Sequence, residues 1–222
     1  MYNSHQPIIA AHGRSGPDGW ARVARFAMAT ARRPLYKIAE DYAALERQQD
    51  HADTDSGLTA ARLEVWFVLW DMRRAAWWNC EDIMDAGGPR RVDYLVGYLA
   101  SLPGLGLAKA GFTAQLIYGV SGCLDTHNLD RLGIDATTFS HFKRRRTVRG
   151  RLAFVARYNA AVEAAGGTAA LWDTWCCFIA ARRPLIYLNA DVVSGLHVAA
   201  LSLNGAQVID LLSLGPGFSH AD

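Results

Sequence analysis

The stretch LPGLGLAKAGFTAQLIYGVSGCLDTHNLDRLG, residues 102–133, carries the most structural information in the chain. Its spacing predicts a helix ending at Leu102, a tight turn through Pro103, Gly104, Leu105 and Gly106, and a new helix starting near Leu107. The two glycines permit backbone angles that other residues resist and let a partner approach the backbone closely. Amides at the start of the following helix point outward, where they suit an anion such as a phosphate. One helix later Gly119 and Gly122 interrupt the pattern, and Leu124-Asp125-Thr126-His127 opens another helix. Asp125 is placed to cap that helix. Capping uses one carboxylate oxygen and leaves the other for chemistry.

Working outward, RVDYLVGYLAS (91–101) reads as an amphipathic helix through Val92, Leu95, Val96 and Leu99. A Gly87-Gly88-Pro89 turn separates it from the most hydrophobic segment, Leu58 to Trp78, read as one helix with Leu63, Trp66, Phe67, Trp70 and Ala75 near one side. Tryptophans at this spacing read as core. Trp77 and Trp78 cannot share a helix face, which leaves one of them to border a cleft. Upstream, QQDHADTDSG is polar and turn-rich, an exposed loop. A helix restarting at Pro34 runs through Ile38, Tyr42 and Leu45. Another follows Asp18 to about Arg33, with Trp20, Val23, Phe26 and Ala27 on a shared face. Residues 1–16, broken by Gly13 and Gly16, read as a loose, flexible leader. Beyond the central stretch, alanine-rich helices span 147–164 and 168–181 around Gly166-Gly167. After Pro184 the pattern becomes β-branched and mixed, so 184–222 receives no assignment. The expectation is a mainly all-α fold in a single domain, 1–222.

With 222 residues, 51% of them hydrophobic, the chain can bury a sizeable core and is not of disordered composition. Its formal charge of +2 is too small to identify a partner. The distribution says more: Lys143, Arg144, Arg145, Arg146, Arg149, Arg151 and Arg157 fall in one run without an acidic residue, a positive field of the kind phosphate backbones attract. A solvated helix face is the plain alternative. The start of the chain lacks the basic-then-apolar pattern of a secretory signal, and no apolar run is long enough to span a bilayer. Cys80, Cys123, Cys176 and Cys177 match neither zinc nor iron–sulfur spacings and read as small apolar residues in a reduced cytoplasm.

The order LPGLG, one helix, then LDTH resembles the helix-hairpin-helix DNA glycosylase superfamily, over residues 95–133. The resemblance implies that Leu102, Pro103, Gly104, Leu105 and Gly106 grip DNA phosphates and that the Asp125 carboxylate faces a flipped nucleotide. Bifunctional members carry a nucleophilic lysine two residues after the second hairpin glycine. Ala108 stands there in this chain. Lys109, one residue on, is rotated by about 100° around the helix, so it reads as a phosphate contact. The span from Trp70 to Leu102 is also short for the helices with which glycosylases wedge DNA open.

A retained hairpin and aspartate with a shortened pocket look like the phage branch of alpha-glutamyl/putrescinyl thymidine pyrophosphorylases, or amino acid:DNA transferases. That resemblance implies replacement of the pyrophosphate of 5-pyrophosphoryloxymethyl-deoxyuridine in DNA by an amino acid or amine, in the host cytoplasm. Such chemistry needs single-stranded substrate or an extruded nucleotide, cations for the leaving group, and a base to neutralise the incoming amine. Arg144, Arg145, Arg146 and Arg149 are the nearest cations. Asp125 is the first candidate base and His127 the second, with Glu64 and Asp71 available if the tryptophan helix lines the pocket. No cofactor is required; a monovalent cation at the hairpin or magnesium accompanying pyrophosphate would be compatible. DNA and an amine are the expected partners, without a membrane, and the oligomeric state is left open. Two alternatives stand beside this reading, a monofunctional glycosylase and a non-catalytic DNA-binding module.

Overall fold

The computed structural model describes residues 2–30, Tyr42 and 60–173. The described residues form helices and turns only. These are α1 (Tyr2–Arg14), α2 (Pro17–Ala29), α3 (Ala60–Asp71), α4 (Arg73–Asp85), α5 (Arg91–Ser101), α6 (Leu107–Tyr118), α7 (Thr126–Arg131) and α8 (Val148–Ala164), with a 3-10 turn at Phe142–Arg144. A further helical stretch covers 167–173. The loop expected at 48–57, most of the helix expected after Pro34, the end of the one expected at 168–181, Cys176-Cys177 and everything beyond Pro184 lie outside the described residues.

At the centre is α2, which packs against α1, α3, α4 and α6. The sequence predicted an amphipathic helix, but every residue from Gly19 to Ala29 is buried. Alanines at 21, 24, 27 and 29 let neighbouring helices close in on sides that larger residues would hold apart. The two arginines of this helix are buried with it, at 7% exposure for Arg22 and 6% for Arg25. Arg25 lies 3.8 Å above the Trp66 ring, a stacking that suits the flat, weakly hydrated guanidinium.

Residues Tyr2–Arg14 are not a loose leader. They form α1, which packs on α2 and α6 and buries Ile9 in the core. Gly13 suggested a break from sequence, but it serves as a contact point: a Cβ there would sit 2.9 Å from Ile117 Cγ1. Gly19 plays the same part from α2, where a Cβ would collide with the His12 carbonyl oxygen.

The segment expected as one helix from Leu58 to Trp78 is two, divided at Met72. No glycine or proline marks the division. Arg73 does, because its Nη1 donates to the Trp70 carbonyl at 2.8 Å and its guanidinium lies over the Trp70 ring. That carbonyl is thereby satisfied without a helical amide. Trp66 is fully buried, as its spacing predicted, whereas Trp78 is 59% exposed beside the half-buried Trp77.

The hairpin elements match their reading closely. α5 ends at Ser101, α6 begins at Leu107, Gly119 closes α6 in the left-handed conformation, and Asp125 caps α7. α5 and α6 pack against each other, and α8 lies along α5.

Candidate active site and nucleic-acid interface

Leu102 and Leu105 anchor the hairpin by burying their side chains, while Gly104 and Gly106 stay exposed. At Gly104 the backbone has φ +71°, and a Cβ would strike Val65 Cγ1 of α3. Both conformation and space therefore require glycine there. Gly106 differs on both counts. Its φ of −73° and ψ of 172° suit any residue, and nothing lies within 4 Å of where its Cβ would be. As the residue preceding α6 it has no side chain to cap the first amides of that helix, which are among the groups that every helix start leaves unpaired within itself.

The basic run lies against this turn. Lys143, in the 3-10 turn, donates from Nζ to the Leu102 carbonyl at 3.2 Å. Arg144, Arg145, Arg146 and Arg149 follow, all exposed. Arg145 lies 4.8 Å from the Phe154 ring centre, and Arg151 Nε donates to the Arg145 carbonyl at 2.8 Å, which ties the run to α8. α8 itself starts at a Thr147 cap, whose Oγ1 accepts from the Gly150 amide at 3.0 Å. Through Lys143 the exposed basic run thus adjoins the hairpin turn at the surface. Sequence marked the two separately; the Lys143 link is long-range, and no local pattern announces it.

Lys109 is not on that surface. It is half-buried, with Nζ 2.8 Å from Thr30 Oγ1 and 5.6 Å from the Phe112 ring centre. The threonine sits at the C-terminal end of α2, where helix carbonyls favour a cation. Here the amine of Lys109 turns inward, toward the end of α2.

Asp125 is half-buried, and its Oδ1 accepts from the Asn128 amide at 3.0 Å. Oδ2 takes no hydrogen bond among the described residues. The preceding loop is irregular, with Ser121 at φ +61°, and side chains hold it in place. Asn128 Nδ2 donates to the Cys123 carbonyl at 2.7 Å. Ser121 Oγ pairs with Asn159 Oδ1 at 2.7 Å, and Asn159 Nδ2 donates to Asp93 Oδ1 at 2.8 Å. Thr126 and His127, the next residues, are exposed.

Cys123 reports how hairpin helix and aspartate loop meet. Burial pushes its thiol up to about 12, the Asp125 charge adds to the rise, and the Lys109 charge opposes it. The thiol therefore stays protonated at neutral pH. Glu64 and Asp71 are exposed on α3. No group of three or more His, Cys, Asp or Glu side chains suited to a metal ion occurs among the described residues. None of their helices is long and apolar enough to cross a membrane. Comparison with protein-family models, curated proteins and solved structures finds no match to this chain.

Proposed function

We propose that this chain is a helix-hairpin-helix DNA-modifying enzyme that grips the phosphate backbone with the Leu102–Gly106 hairpin and the adjoining arginines, and uses Asp125 as its general base. The observation that carries the reading is the state of Asp125. One oxygen is committed to the Asn128 amide and the other is not, in a loop whose Gly122 carbonyl meets the hairpin helix at Gly111. A carboxylate fixed in this way can accept a proton without losing its position.

Among DNA-directed reactions, the transfer of an amino acid or amine onto 5-pyrophosphoryloxymethyl-deoxyuridine fits the charges best. Asp125 takes a proton from the ammonium, the lone pair of the resulting neutral amine bonds to the methylene carbon, and pyrophosphate leaves with the electron pair of the broken C–O bond. Arg144, Arg145, Arg146 and Arg149 supply the cations that either DNA phosphates or the departing pyrophosphate require. The setting is the cytoplasm in which the DNA is found.

The test is mass spectrometry of nucleosides after incubating the protein with DNA bearing the pyrophosphorylated base and a mixture of amino acids and amines. A mass gain on intact DNA supports the transferase. Release of a free base would replace it with a glycosylase, and unchanged DNA would leave a binding module.

A further inference from the structure

The Asp125 loop is held from behind by a residue that no motif marks. Tyr158 is fully buried on α8, ten residues after Val148. Its hydroxyl donates to the Gly122 carbonyl at 2.6 Å and accepts from the Leu124 amide at 2.9 Å. One oxygen thus bridges the two peptide groups on either side of Cys123, and the second of them adjoins Asp125. The ring is fixed by an edge-on contact with Phe139, with centres 5.2 Å apart.

The hairpin helix closes on the same point. At Gly111 of α6 a Cβ would strike the Gly122 oxygen and lie 2.6 Å from the Tyr158 hydroxyl. Only a residue without a side chain lets α6, the Gly122 carbonyl and the Tyr158 hydroxyl meet there. Both peptide groups are buried, so they would lie unpaired without the hydroxyl.

From this we infer that Tyr158 is a positioning residue for the proposed reaction: its hydroxyl registers the Asp125 loop against the hairpin helix. The inference rests on the reading of Asp125 as the general base. Burial also raises the phenol well above its ordinary value, so the hydroxyl stays protonated and keeps donating to Gly122.

Tyr158→Phe removes the hydroxyl and keeps the ring. The expected result is a fall in kcat of about tenfold or more, the scale on which small misplacements of catalytic groups act. KM and Kd for DNA stay within about twofold, because the hairpin and arginines contact phosphates elsewhere. Hydrogen exchange gives a readout that does not need activity. The Asn128 amide, capped by Asp125, should lose protection in Tyr158→Phe, while the Gly150 amide, capped by Thr147, keeps it. Equal loss at both amides, or wild-type kcat with Asn128 protection intact, overturns the inference.

Should Tyr158→Phe fail to fold, 3-fluorotyrosine at position 158 serves instead. It keeps the ring and hydroxyl and weakens the oxygen as an acceptor for Leu124. Reduced Asn128 protection without loss at Gly150 supports the inference, and unchanged protection overturns it. If the parent protein modifies no DNA, the proposed reaction fails, and the exchange data still decide whether Tyr158 holds the loop.

Discussion

At Asp125 the capping bond runs from the Asn128 amide to a single carboxylate oxygen. Asparagine offers an oxygen in the same place and is as good a cap. Asp125→Asn should therefore leave the melting temperature and DNA affinity nearly unchanged while turnover falls by about two orders of magnitude or more, the weight of a positioned general base. Turnover equal to the parent would reduce Asp125 to a cap. Lys109 is expected to be silent as a nucleophile. Its amine sits on Thr30 and above Phe112, and Ala108 stands where the resemblance to bifunctional glycosylases would put the nucleophilic lysine. Borohydride treatment with an abasic-site duplex should yield no more trapped adduct than Lys109→Ala does. A strong, Lys109-dependent adduct would show that the amine leaves Thr30 for the DNA. Of these residues only the cap at Asp125 was legible in the sequence, because capping is decided within four residues. The inward turn of Lys109 depends on Thr30, far away in the chain, and could not be read locally.

Among the elements, the hairpin and the arginine run act as a pair. Lys143 joins them through the Leu102 carbonyl, so the basic turn is held against the hairpin. Changing Arg144, Arg145 and Arg146 together to glutamate is expected to weaken binding to all DNA sequences alike. It should also flatten the dependence of affinity on salt, since every phosphate that is no longer neutralised lowers the slope by about one. Filter binding across a salt series reads this, and a slope equal to the parent's would place the arginines off the DNA. The boundaries of α5, α6 and α7 were legible because glycine turns and caps delimit them. The division between α3 and α4 was not. It is set by an arginine side chain reaching a carbonyl, and hydrophobic spacing carries no trace of it.

For the molecule as a whole, burial is organised around α2, and α1 completes one side of it. Ile9→Ala should cost about 2–4 kcal/mol of unfolding free energy, the ordinary range for truncating a buried aliphatic side chain. Urea denaturation measures it; a change below about 0.5 kcal/mol would be that of a surface site and would return α1 to the status of a leader. The helical character of the described residues was legible from helical spacing alone. The place of α1 was not, because Gly13 and Gly16 read as chain breaks. The role of Gly13 as a point of helix contact appears only once Ile117 is in position.

The two exposed glycines of the hairpin turn face different physical constraints. Variants of Gly104 meet Val65 and a left-handed backbone, so a library sorted for folded protein alone would discard them. Variants of Gly106 meet empty space in a backbone conformation open to every residue, so the same library would let that position drift. Only sorting for engagement of a partner that comes up against the turn would restore glycine there. The ratio between the two sorts at Gly106 would measure how closely that partner approaches, without the partner ever being seen.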